Sequence, residues 1–372
     1  MAASRRLMFD SCDACLRRAF LIAHLAPRIA GLLGQERRAR GLLGLSEEDL
    51  IAAAAGRHVE RALAFLDAFD GASTRERLVD AGTVVSCGHS SLYPGLLRDL
   101  PDPPAVLFGA GSADVLQLLE EEPAVTVVGT RRASPYGTEV AYALGRGLGA
   151  AGVPVISGLA LGIDGTAHRG CLDGGGVPVA VVASGPDVVY PRRHRSLHER
   201  VRAEGLVLSE LPPGTEPYRW SFPARNRIMA GLARVTLVVE AADPSGSLIT
   251  AEFAKDLGRC VAAVPGRITS SVARGTNNLL KDGATPISGT EDVLDELFGV
   301  GMRRVPEARP DTGPRDPDLQ AALAAAETGD SVEAVAAAIG LPISQTRAAL
   351  GRLEVDGYLV RRDLGGWERT AR

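Results

Sequence analysis

Hydrophobic and polar positions fall into three successive patterns along the chain. Up to about residue 80, apolar residues recur at helical spacing, as in Leu16, Phe20 and Ala23 and again in Leu63, Leu66 and Phe69, the stripe that an amphipathic helix turns toward a core. Ser46 with Asp49 three residues on opens SEEDLIAAAA as a weakened capping box, Asp standing where Glu is the stronger partner. Residues 1–80 are therefore expected to form an N-terminal helical domain. From Val125 the texture changes to short β-branched runs, VTVVG, VPVIS, VPVAVVASG, LVLSE, TLVVE and CVAAVPG, separated by helical stretches. Strands covered by helices on both faces read as continuous apolar runs, so this alternation predicts βαβ units. The expected fold class is α/β, a doubly wound, mostly parallel sheet over residues 81–299.

Residues 300–316 (VGMRRVPEARPDTGPRD) mix Pro, Gly and charge without periodicity and read as a linker. Within 317–372, SVEAVAAAIG, a Gly-Leu-Pro turn, ISQTRAALGRLEVDG and YLVRRDLGGWERT read as helix, turn, helix and two-stranded wing. That order predicts a winged-helix domain. A length of 372 residues agrees with two or three domains.

Composition narrows the chemistry. Hydrophobic residues at 45% and charged residues at 23% exclude a disordered or fibrous chain. The net charge of −4 gives no general attraction to nucleic acid, so a nucleic-acid site must be a local basic cluster. Five scattered cysteines do not make a disulfide framework and fit a reducing, cytoplasmic compartment. Asp10, Asp13, Arg17 and Arg18 interrupt the N-terminal apolar run, and no stretch reaches transmembrane length, so neither export nor a membrane span is expected. Cys12 and Cys15 form a CxxC, but zinc needs four ligands and only His24 lies near in sequence, so no metal is expected.

Five motifs carry candidate binding chemistry. VVGTRRASPYG ends a strand at Gly129 and continues through Thr130, Arg131 and Arg132 into a helix, where free amides and guanidinium groups attract an anion. SGLALGIDGTAH places Ser157 and Gly158 at another strand end. Asp164 there reads as a helix N-cap and His168 as an ordinary helix residue. FPARNRIMAGL sets Arg225, Asn226 and Arg227 at a helix start beside Phe222 and Trp220, where cations oppose the helix dipole unless an anion binds. The alternative is that these arginines pair with Glu210 or Glu216. VVEAADPSGSLITAEFA adds Gly246, Ser247 and Thr250, and VPGRITSSVARGTNNLLKDGA adds Arg274, Gly275, Asn277 and Lys281. Three anion cradles exceed what one mononucleotide needs and suit a polymer backbone. No Ser-His-Asp or Cys-His arrangement and no Walker loop is present, so no catalytic residue and no cofactor are expected. In the C-terminal domain Arg347, Arg352 and Arg361 are candidates for contact with a duplex or a protein partner.

Taken in order, GTRR, SGLALGID, VVYP, FPARNRIMAGL, EAADPSGSLITA and VPGRITS to GTNNLLKDGA resemble the DprA/Smf family, as does the lead-in LYPGLLRDLPDPPAVLFGAG. The resemblance implies an extended Rossmann-like core, an N-terminal domain of SAM or helix-hairpin-helix type and a C-terminal winged helix. It implies a homodimer that binds single-stranded DNA and loads the RecA recombinase in natural transformation, without catalysis. Carried over, the pocket comprises Arg131 and the Arg225-Asn226-Arg227 helix start, with amide donors near Gly129, Gly246 and Ser247. Thr130 departs from the more frequent Ser, and Leu161 stands where a basic residue is frequent. Two other readings stand beside it. One is a phosphoribohydrolase similar to the LOG or lysine-decarboxylase-like proteins, with Glu252 in a related place but without their double-glycine loop. The other is a regulator whose winged helix reads duplex DNA.

Overall fold

Apolar runs bounded by turn residues become strands, and the 3.6-period stretches become the helices that cover them. The computed structural model describes residues 9–33, 41–306, 316–326, 329, 331–355, 358–361 and 366–369. Two compact units divide at Val305 and Pro306.

The larger unit opens with β1 (Phe9–Asp10) and four helices, α1 (Asp13–Leu33), α2 (Glu47–Ala54), α3 (Val59–Asp67) and α4 (Gly71–Asp80). Ser46 caps α2 by accepting the Asp49 amide at 3.0 Å. Then come β2 (Val84–Cys87), β3 (Val106–Gly111), α5 (Asp114–Glu121), β4 (Val125–Val128), α6 (Pro135–Ala150), β5 (Val155–Ser157), α7 (Ile163–Asp173) and β6 (Pro178–Val181). The chain continues through α8 (Arg195–Glu204), β7 (Leu206–Ser209), α9 (Ser221–Leu232), β8 (Val235–Val238), α10 (Gly246–Asp256), β9 (Cys260–Ala263), α11 (Arg274–Lys281), β10 (Thr285–Pro286) and α12 (Thr290–Phe298).

The ten strands form one sheet in the order β1-β2-β3-β7-β6-β5-β4-β8-β9-β10. From β7 through β10 all neighbours are parallel, whereas β3 runs antiparallel to both β2 and β7. This is the doubly wound, mostly parallel sheet that the alternation predicts. Strand pleating divides the core: Val125 and Val127 of β4 face α6, α7 and α12, while Val128 faces α9 and α10. The winding reverses between β4 and β8, and that topological switch point places a crevice at their carboxyl ends.

The segment before residue 80 is built into this unit rather than standing apart. β1 pairs with β2, and Leu21, Leu25 and Ile29 of α1 share a core cluster with Leu211, Trp220 and Ala224 beside α9. Leu16 and Ala19 pack against Val85, Val106 and Phe108 of the sheet.

Helices α6 and α7 approach closely because glycines face backbone. A Cβ on Gly170 would lie 2.2 Å from the Tyr142 carbonyl oxygen, and one on Gly145 would lie 2.3 Å from that of Ala167. Neither backbone can yield without prising the helices apart. Gly170→Ala is expected to cost about 1–3 kcal/mol as overpacking, read as a lower urea midpoint at unchanged m-value. An unshifted midpoint would show that the two helices are free to separate.

The smaller unit consists of α13 (Pro317–Ala326), α14 (Val332–Ile339), α15 (Ile343–Val355) and an antiparallel pair, β11 (Leu359–Arg361) with β12 (Trp367–Arg369). Its core joins Leu319 and Leu323 to Val335, Leu350, Leu353 and Trp367. Among the described residues no helix is long and apolar enough to cross a membrane.

Candidate functional site

A cleft of about 720 Å³ opens at the switch point. Its walls are the β4 end with Gly129, Thr130 and Arg131, the start of α9 with Phe222, Arg225 and Asn226, and the turn into α10 with Pro244, Ser245, Gly246, Ser247 and Thr250. Ser245 caps α10, its hydroxyl accepting the Ser247 amide at 3.4 Å, so the positive end of that helix stands at the cleft lining. Asn226 ties the two walls by donating from Nδ2 to the Gly246 carbonyl at 3.1 Å.

Arg225 forms the floor. It is 6% exposed, donates to the Val181 carbonyl, and lies 3.8 Å from the Asp164 carboxylate. Burial holds its pKa down at about 10, against the attraction of Asp164 and with the added repulsion of Arg131. Burial likewise pushes Asp164 up, against the pull of Arg225 and of the Gly158 amide. Gly158 makes room for this pair, since a Cβ there would lie 1.7 Å from Arg225 Nη1. Leu159 beside it has a left-handed φ of 52°, one of the turns that carry the chain back to Asp164. Two buried polar atoms at the cleft, Arg225 Nε and Thr250 Oγ1, find no hydrogen-bond partner among the described residues.

The rim is basic and aromatic. Arg131 is exposed, with its guanidinium 5.2 Å from the Phe222 ring centroid, and the Tyr190 ring centroid lies 5.5 Å from that of Phe222 at a tilted angle. Arg219, also exposed, adds a third guanidinium to the lining. Asp164 is the one carboxylate among the described lining residues. A chain of net charge −4 thus concentrates positive charge in this cleft.

Several sequence expectations land elsewhere, each for a physical reason. Arg227, two residues from Arg225, turns away from the cleft and meets Glu210 at 2.9 and 2.7 Å and Asp102 at 3.2 Å, 2% exposed. The pairing with Glu210 considered from sequence does occur, in the core rather than on the surface. Trp220 is buried, donating to the Ala26 carbonyl at 3.0 Å, so Phe222 with Tyr190 provides the aromatic surface. The Ser157 hydroxyl is consumed by the Val127 carbonyl at 2.6 Å. Arg132 is exposed and lies outside the cleft lining, its amide donating to Thr130 Oγ1. Asp164 sits in the first turn of α7 and is not its N-cap, which is Gly162.

The GTNNLLKDGA motif faces a second cleft. Gly275 and Lys281 line it together with Leu248, Glu252 and Lys255, which lie on the opposite face of α10 from Ser247 and Thr250. Asn277 instead braces a turn, exchanging hydrogen bonds with the Gly266 backbone at 3.2 and 3.1 Å. Arg274 is the exposed first residue of α11. Glu252, the carboxylate that an enzyme reading would need beside the ribose phosphate, is thus outside the first cleft. In the smaller unit Arg347 and Arg352 are exposed on α15, and Arg361 lies 6.0 Å from the Trp367 ring.

Sequence reasoning missed Arg219, Tyr190 and Glu240. Glu240 accepts the Ser134 amide at 2.9 Å and the Ser134 hydroxyl at 2.5 Å, which locks the start of α6 beside Arg131. No sequence signal marks it, because its partner is 106 residues away.

His168 is fully buried, its Nε2 donating to the Val179 carbonyl at 3.3 Å. Burial lowers its pKa from 6.5 to about 3. The folded state therefore takes the proton less readily than the unfolded one, so its contribution is intact above 6.5 and is lost as pH falls toward 3. Between pH 8 and pH 5 the expected loss is about 2 kcal/mol. Urea unfolding at both values, repeated on His168→Leu, checks this: the pH-dependent drop should shrink by that amount, and an equal drop in both proteins would refute the assignment.

Residues 84–298 match the family model described as DNA recombination-mediator protein A. Protein Smf of Escherichia coli is 36% identical over 292 residues, covering 76% of this chain and 76% of the relative. The X-ray structure of DNA processing protein A from Streptococcus pneumoniae superposes with a TM-score of 0.62 at 32% identity, covering 78% of this chain and 99% of that one. DNA processing protein A from Helicobacter pylori, described for its single-stranded DNA binding mode, gives a TM-score of 0.51 at 31% identity over 57% of this chain and 95% of that one.

Proposed function

The chain belongs to the DNA recombination-mediator protein A family, and from that premise we propose that its switch-point cleft binds single-stranded DNA and that the protein delivers the strand to RecA. The observation that carries this reading is the grouping of Arg131, Arg219 and Arg225 with the Phe222 ring at the N-terminus of α10, in a protein of net negative charge. Guanidinium groups and a helix N-terminus take phosphates, and the exposed Tyr190 ring beside the half-buried Phe222 offers a stacking surface to any base, so the site favours flexible strands without regard to sequence. A duplex keeps its bases stacked inside and cannot offer them to Phe222.

In this reading the protein is cytoplasmic and dimeric, protects incoming strands, and acts in natural transformation or related recombination without chemistry of its own. The smaller unit is read as a winged helix in which Arg347, Arg352 and Arg361 contact a duplex or a protein partner. The second cleft, with Lys281 and Gly275, extends the path of a long strand around α10, and Arg274 lies on that side.

The test is fluorescence anisotropy of a labelled mixed-sequence oligonucleotide, single-stranded and duplex, at two salt concentrations. The expected result is preference for the single strand, with affinity falling as salt rises. Binding to a duplex alone would favour the regulator reading, and absence of binding to either would overturn the cleft assignment.

A further inference from the structure

Three thiols and one imidazole meet at the edge of the sheet, far from the arginine cleft in sequence and unused by it. Cys12 follows β1, Cys15 lies in the first turn of α1, Cys87 ends β2, and His89 is two residues beyond. β1 and β2 are parallel neighbours, so their carboxyl ends lie side by side. That pairing brings a CxxC and a CxH together although Cys15 and His89 are 74 residues apart.

His89 Nδ1 lies 3.7 Å from Cys12 Sγ, 3.4 Å from Cys15 Sγ and 3.9 Å from Cys87 Sγ. All four candidate ligand atoms fall within 4.8 Å of one another. A tetrahedral zinc ion with Zn–S near ~2.3 Å and Zn–N near ~2.05 Å has S···N edges of about 3.6 Å and S···S edges of about 3.8 Å. The three S···N distances, 3.4, 3.7 and 3.9 Å, bracket that S···N edge, and the 4.8 Å limit on every pair accommodates the S···S edges. The cysteines are free thiols, so the cluster is not a disulfide. Leu16, Ala19 and Phe108 pack beside Cys15 and Cys87 and shield that side of the cluster from water.

We propose that Cys12, Cys15, Cys87 and His89 bind one zinc ion that fastens the N-terminal helices to the sheet. Thiolate-rich tetrahedral sites select zinc over hard cations such as magnesium and calcium, and four protein ligands leave no open position for catalysis. Binding displaces three thiol protons to solvent, and the dication offsets two of the three thiolate charges, leaving a site of net charge about −1 with His89 neutral. The need for such a fastening is local. β1 is two residues long, registering only Phe9 with Val85 and Asp10 with Ser86, too short a ladder to hold the start of the chain by itself. The sequence offered the CxxC only His24, which stacks on Phe65 at 4.5 Å, whereas the two further groups, Cys87 and His89, come from beyond the helical segment.

The experiment is metal analysis by inductively coupled plasma mass spectrometry on the full chain, produced in zinc-supplemented medium and purified without chelator. The expected content is about one zinc per chain, falling at least ~10-fold in Cys87→Ser and His89→Ala and unchanged in His24→Ala. Because Cys87 is buried and its variant could unfold, the wild-type protein is also reconstituted with cobalt(II). Thiolate-to-cobalt charge-transfer bands and intense tetrahedral d–d bands are expected there. Less than about a tenth of an equivalent of zinc in wild type, iron in its place, full zinc in both ligand variants, or cobalt bands of octahedral type would each overturn the proposal.

Discussion

Arg227→Ala is expected to lower stability by about 3–5 kcal/mol, the cost of leaving buried carboxylates without their cation. Its guanidinium holds Glu210 through two hydrogen bonds at 2.9 and 2.7 Å, contacts Asp102 at 3.2 Å and bonds the Asp102 and Ala224 carbonyls. Burial already pushes the Asp102 carboxyl up, against the pull of Arg227. Removing the cation exposes Glu210 and Asp102 to mutual repulsion in a site that excludes water. The double variant Arg227→Met with Glu210→Leu should recover much of the loss, because matched apolar groups need no partner. Urea unfolding of the wild type, the two single variants and the double variant measures the coupling. A single-variant loss under about 1 kcal/mol would show that the network contributes little. If enough Arg227→Ala folds for titration, its single-strand affinity should equal that of the wild type, which separates this arginine from its neighbour at 225.

Arg131→Ala should do the reverse. Its side chain is exposed, and its guanidinium rests on the Phe222 ring at 5.2 Å, so stability should move by no more than about 0.5 kcal/mol. A charge-assisted hydrogen bond to phosphate is worth about 1.5–3 kcal/mol, so its removal corresponds to roughly 10- to 150-fold weaker binding of single-stranded DNA. With one fewer phosphate neutralised, the slope of log affinity against log salt should also flatten by about 0.7. Equal affinity and equal slope in a folded Arg131→Ala protein would remove this arginine from the site. Arg225→Ala is the poorer probe, since it strips Asp164 of its partner and mixes folding with binding.

The contrast between Arg225 and Arg227 shows where legibility stops. Both stand in one ARNR stretch, and helix dipole reasoning treats them alike, yet a helix places residues two apart about 200° around its axis. One therefore meets the cleft and Asp164, and the other meets Glu210 and Asp102. Ser157 fails similarly: its position at a strand end was legible, but the orientation that gives its hydroxyl to Val127 depends on which neighbour β5 takes.

By itself the sequence determined the α/β class, the strand positions from Val125 onward and the family, because periodicity, strand-end glycines and ordered motifs are local features of the chain. Only the tertiary structure decided that the N-terminal helices share the larger unit, that Glu240 aligns the start of α6, and that Cys87 and His89 complete the CxxC. The physical reason is common to all three. Each depends on sheet order and on side chains dozens of residues apart meeting in a low-dielectric interior, and a one-dimensional pattern carries spacing along the chain but not distance across the fold.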